Sequence, residues 1–206
     1  SHGNSGFAAA LVLSANFLGV MELRQLGFRA FQSKKNGISR CPAESGAQGG
    51  ERHGRVGSLD GRYAWCHGEP GIVLGRLIAM MSMGRDDPLY SLLLSDVSRS
   101  ISGAVGKEHF ENESLCHGSF GNNEILEMAR GLVPHDVWSI AKEGHFMDYG
   151  GPVAPRCGDI ERSSVWSPHA PKGLMVGVAG VGYGFIRRLF PTAVPSVIRL
   201  EVGATC

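Results

Sequence analysis

The chain has 206 residues and a formal net charge of +1, with 20 Lys and Arg against 19 Asp and Glu. That balance excludes a strongly basic nucleic-acid surface and an acidic tail. Apolar residues make up 43% and charged residues 19%, so the chain can bury a sizeable core, and its length suits one or two domains.

Ser1 to Met21 carries no formal charge, but His2, Asn4, Ser5, Ser14 and Asn16 interrupt it, so no bilayer span is expected there. No basic segment precedes it, and a signal peptide is not expected either. The chain opens on Ser inside what reads as a motif, which suggests a piece of something longer. Cys41, Cys66, Cys116, Cys157 and Cys206 are odd in number and widely spaced, unlike a disulfide framework. Reduced thiols in a cytoplasmic protein, some of them metal ligands, are the better reading.

Glycine is the outlier at 30 residues, about twice its usual share. In chain order, Gly3-Asn4-Ser5-Gly6 leads into Phe7, Ala8, Ala9, Ala10 and Leu11, an almost wholly apolar helix. Ser33 to Gly61 has no periodicity and reads as a long loop. Gly68-Glu69-Pro70-Gly71 then precedes a helix carrying Ile72, Leu74, Leu77, Ile78 and Met81, with Arg76 its single charge. Asp86-Asp87-Pro88 caps a more polar helix with Leu89, Leu92, Leu93 and Val97 on one stripe. Gly118-Ser119-Phe120-Gly121 opens the next apolar helix, and Val137 to Lys142, after His135-Asp136, is a further outer candidate. Gly144 to Lys172 is another long loop, and Gly177-Val178-Ala179-Gly180 starts the last copy.

Each unit is a G-x-x-G turn, an apolar helix and a more polar one. Glycine is expected to permit a tight turn, the left-handed form among those open to it, that lets a helix start close to its neighbours. Helix pairs in series without strand alternation predict an all-α fold, an α/α toroid whose apolar helices line the middle and whose glycine turns share one end. An irregular helical bundle is the alternative.

Two turns read Cys-His-Gly, at 66–68 and 116–118, where composition alone would place about 0.03 such triplets in the whole chain. If the turns share a rim, Cys66, His67, Cys116 and His117 converge. Cys and neutral His are natural zinc ligands, and three protein ligands with an open fourth position is the catalytic pattern. The plainer readings are a small buried hydrophobe for each Cys and a turn hydrogen bond for each His. The plainer reading suits His67 better and the ligand reading suits His117. Cys41, Cys157 and Cys206 read as thiols outside any site.

These residues carry a resemblance. Ser1-His2-Gly3-Asn4-Ser5-Gly6, Trp65-Cys66-His67-Gly68-Glu69-Pro70-Gly71, Leu115-Cys116-His117-Gly118-Ser119-Phe120-Gly121-Asn122 and Gly173-Leu174-Met175-Val176-Gly177-Val178-Ala179-Gly180-Val181-Gly182-Tyr183-Gly184 resemble the lanthionine synthetase C-like cyclase domain. The closing Val194 to Glu201 is similar to its usual C-terminus. The resemblance is to the cyclase part of class II, bifunctional lanthipeptide synthetases. It implies that 1–201 is the C-terminal portion of that toroid, with 202–206 a short tail and 33–61 and 144–172 loops within it. It also implies that the early helix pairs, an upstream aspartate and a dehydratase domain lie elsewhere. Phe28 to Asp60 fits the family poorly.

By the same resemblance Cys66, Cys116 and His117 are ligands to Zn2+, His2 is the catalytic histidine and Arg62 an arginine near the site. The implied reaction adds a cysteine thiol of a dehydrated precursor peptide to dehydroalanine or dehydrobutyrine, closing a thioether ring. Zinc would hold the substrate sulfur as thiolate, and His2 would protonate the α-carbon. Arg62 would pair with enolate charge or an acidic partner, or else be a solvated loop charge; His2 would otherwise be a hydrogen-bonded turn residue. The competing reading is a non-catalytic zinc- or peptide-binding fragment. Another toroid enzyme would need paired carboxylates, for which the turns offer little beyond Glu69 and Glu124. Half a toroid would expose inner apolar faces, so the isolated piece is expected to associate and to be inactive as a cyclase.

Overall fold

The computed structural model describes residues 4–33, 65–66, 68–104, 113–116, 118–139, 169 and 171–199. Among these residues all regular structure is helical. The helices are α1 (Asn4–Leu18), α2 (Met21–Ser33), α3 (Glu69–Met81), α4 (Pro88–Ala104), α5 (Ser119–Ala129) and α6 (Val178–Leu189). A short helical stretch at 135–139 follows α5.

The helices pack as a series of hairpins. α1 lies against α2 and α3 against α4, while α1, α3, α5 and α6 touch one another in sequence order. The first helix of each hairpin therefore forms an inner wall and the second covers it, the arrangement of an α/α toroid. Sequence explains the division. α3 buries Val73, Leu74, Leu77, Ala79 and Met80 on more than one face, whereas α4 buries Leu89, Tyr90, Leu93, Val97 and Ile101 along one stripe.

Local chemistry sets the ends. α1 stops where Gly19 adopts φ +68° and the Val20 amide donates to the Ala15 carbonyl at 3.1 Å, a Schellman closure. α4 begins where Asp87 Oδ1 accepts the Leu89 amide at 2.9 Å, with Pro88 in the first turn. Asp87 also pairs with Arg24 of α2, tying the two outer helices together.

Inside the α3–α4 hairpin, Arg76 is buried and reaches Asp96 at 3.4 Å. Its guanidinium also lies 5.5 Å from the Phe31 ring centroid. Burial pulls the Arg76 pKa below its ordinary value and the Asp96 carboxylate opposes that pull. α6 is fastened to α5 by Arg187, 3.1 Å from Glu124, and by the edge-to-face pair of Phe120 and Phe185 at 4.9 Å. The Tyr183 hydroxyl donates to the Pro195 carbonyl at 2.6 Å and accepts the Val197 amide at 3.0 Å, folding the following segment back on α6.

Three sequence expectations need correction. The helices start directly after the first glycine of each G-x-x-G, not after the second. Gly68, Gly118 and Gly177 are the N-caps, and all three are extended, with φ −111°, −110° and −131°. The turns are thus not left-handed. The second glycine serves close approach: a Cβ on Gly121 would fall on the Leu115 carbonyl oxygen, and one on Gly180 on the Leu174 carbonyl oxygen. Ser33 closes α2 instead of opening a loop, so Phe28 to Ser33, within the segment that fits the family pattern poorly, is ordinary helix. The outer candidate at Val137 begins earlier, at His135. Residues 34–61, 144–168 and 170 of the two expected loops lie outside the described residues; 169, 171 and 172 are non-helical.

Candidate metal centre

The glycine turns do lie together. Trp65 Nε1 donates to the Leu115 carbonyl, joining the turn before α3 to the turn before α5. The Cys116 amide donates to the Met175 carbonyl at 2.8 Å, joining the turn before α5 to the turn before α6. One helical turn further on, buried Ser5 Oγ donates to the Ile72 carbonyl at 3.1 Å, joining α1 to α3. The register expected from the repeats is therefore real, and backbone carbonyls are its main currency.

Cys66 and Cys116 meet on this rim. Cys66 is buried, Cys116 is half-buried, and both are thiols rather than disulfide halves. The Cys116 turn is closed by the Gly118 amide donating to the Ser114 carbonyl at 3.1 Å. Burial pushes the Cys116 thiol up to about 11, and its hydrogen bond and proximity to Cys66 push in the same direction. A divalent ion between the two sulfurs would reverse that push on Cys116, because it deprotonates a coordinating thiol outright. The donor set of two soft sulfurs therefore fits zinc.

Among the described residues no group of three or more His, Cys, Asp or Glu side chains converges as a metal cluster. The remaining candidates, His2, Arg62, His67 and His117, lie outside the described residues. Of the two turn carboxylates, Glu124 is held by Arg187 and Glu69 sits half-buried in the first turn of α3. The fourth turn carries Met175 and Val176 where the second and third carry Cys and His.

Sequence reasoning missed Trp65 and Met175 as parts of the rim. A signal was present: Trp65, Leu115 and Leu174 stand at the same interval before Gly71, Gly121 and Gly180. A groove of about 290 Å³, lined by Met21, Arg24, Phe28, Asp87 and Leu89, lies where α2 and α4 begin. That is the opposite end of the hairpins from the cysteine turns.

The fold and rim define a class: an all-α toroid of helix hairpins with a thiol pair at the glycine-turn end. The comparison with known families agrees, since residues 1–198 match the lanthionine synthetase C-like protein family. The chain belongs to that family, which supports lanthionine cyclase activity in general and implies a peptide substrate. No curated protein and no solved structure matched the chain. Among the described residues no helix is long and apolar enough to cross a membrane.

Proposed function

We propose that this chain forms the zinc-bearing part of a lanthipeptide cyclase, of the type joined to a dehydratase domain in class II synthetases and acting in the cytoplasm. The ligands are Cys66, Cys116 and His117. The substrate is a precursor peptide whose Ser and Thr residues have been dehydrated. The observation that carries the reading is the adjacent Cys66 and Cys116 thiols on a rim of glycine turns in a chain of this family.

Bound zinc would supply Lewis acidity, keeping the substrate sulfur as thiolate in an open coordination position. In the reaction a C–S bond forms at the β-carbon of the dehydro residue and the electron pair of the alkene passes to the α-carbon. His2 holds the proton that completes the addition at that carbon. Arg62 stabilises the charge on the intervening enolate. The thiol loses one proton and the α-carbon gains one, so the addition needs no oxidant or co-reactant.

The test is metal analysis and ring closure on the same preparations of the full-length synthetase. Zinc content is expected to fall in Cys66→Ala and Cys116→Ala, and cyclisation of a dehydrated peptide, read by loss of alkylatable thiols, to fall with it. Full zinc retention in both variants would refute the ligand assignment. Zinc binding without ring closure would favour the binding-module reading instead.

A further inference from the structure

The residue directly before each cysteine is joined to the other by a side chain. Trp65 precedes Cys66, Leu115 precedes Cys116, and the Trp65 indole N–H donates to the Leu115 carbonyl. Gly121 makes the room: a Cβ there would sit 2.7 Å from Trp65 Cδ1 as well as on the Leu115 carbonyl oxygen. On its other side the Cys116 amide is anchored to Met175, at 2.8 Å. Cys116 is thus held from two sides, and the Trp65 bond ties the backbone beside it to the turn that carries Cys66.

We propose that Trp65 is a positioning residue that sets the separation of the Cys66 and Cys116 thiols. Its importance for a metal rests on the zinc reading above; its effect on the thiol pair does not. Two thiolates on one tetrahedral zinc, each at about 2.3 Å, must keep their sulfurs roughly 3.8 Å apart. Side chains that orient ligands from behind commonly alter metal affinity by about 10–100-fold. A rigid indole bonded across the two turns holds such a separation before any metal arrives. Leucine at the equivalent place before the fourth turn has no such donor, and that turn has no thiol to position.

The test substitutes Trp65→Phe, which keeps an aromatic ring and removes the donor. Trp138→Phe is the control, because Trp138 Nε1 donates to the Leu126 carbonyl at 3.2 Å away from the cysteine turns. All proteins carry Ser at positions 41, 157 and 206. Two readouts are taken: Co2+ affinity, from the sulfur-to-cobalt absorption, and the rate at which diamide closes a Cys66–Cys116 disulfide in metal-free protein. The expected result is a roughly tenfold or greater loss of Co2+ affinity and a changed disulfide rate in Trp65→Phe alone. If the parent protein binds Co2+ and Trp65→Phe matches it in both readouts, the positioning role is refuted and the metal reading stands. If both Trp variants shift alike, the bond is merely structural and the proposal falls. If no protein binds Co2+ but only Trp65→Phe alters the disulfide rate, the metal reading falls and the positioning role stands.

Discussion

Gly121→Ala tests whether close approach is what requires a glycine in this helix-starting turn. With open space at Gly121, Ala would stabilise the protein, by about 0.4–1 kcal/mol through the unfolded chain. The structure demands the opposite sign. The new methyl would fall on the Leu115 carbonyl oxygen, 2.9 Å from that carbonyl carbon and 2.7 Å from Trp65 Cδ1. Two of these atoms are backbone, so no rotamer change relieves the clash. Either α5 withdraws from the turn or the turn shifts, and the Trp65–Leu115 hydrogen bond is lost with it. Overpacking costs about 1–3 kcal/mol and the lost bond about 1 kcal/mol, against about 1 kcal/mol regained from helix propensity. The net expectation is a loss of about 1–3 kcal/mol. Gly182, exposed on α6, has nothing within 4 Å of the place an added methyl would take, so Gly182→Ala should gain about 0.5–1 kcal/mol. Urea unfolding followed by far-ultraviolet circular dichroism measures both. A Gly121→Ala protein as stable as the parent would refute the close-approach argument.

Asp96→Ala should cost about 3–5 kcal/mol, because it strands the buried Arg76 guanidinium, while Arg99→Ala at the exposed end of the same cluster should change urea stability by less than about 0.5 kcal/mol. If both variants unfold at the same urea concentration, the buried pair is not what α3 and α4 depend on. In the full-length synthetase, His2→Ala is expected to slow thioether closure while zinc content holds; normal cyclisation would remove His2 from the mechanism. Phe17 is 90% exposed beside Leu18 and Met21, so Phe17→Ser should raise the concentration at which light scattering still reports a monodisperse species. Unchanged scattering would show that this patch does not drive association.

The order of helices was legible from residues 4 to 199 alone, for a simple reason. Burial writes itself into residue type, and α3 is apolar on more than one face while α4 keeps its leucines on one stripe. The two cysteines were legible too, because a doubled Cys-His-Gly is rare by composition and sits at one repeat position. Tertiary structure decided what the glycines are for. A G-x-x-G pattern is compatible with a left-handed turn or with close packing, and only the carbonyls of Leu115 and Leu174, brought under Gly121 and Gly180, select the second. It also decided the parts played by Trp65 and Met175. Their hydrogen bonds run to backbone atoms of other repeats, and any residue offers the same carbonyl, so no residue type announces the contact. Residue identity encodes what a side chain prefers; which backbone lies within its reach is settled when the hairpins pack.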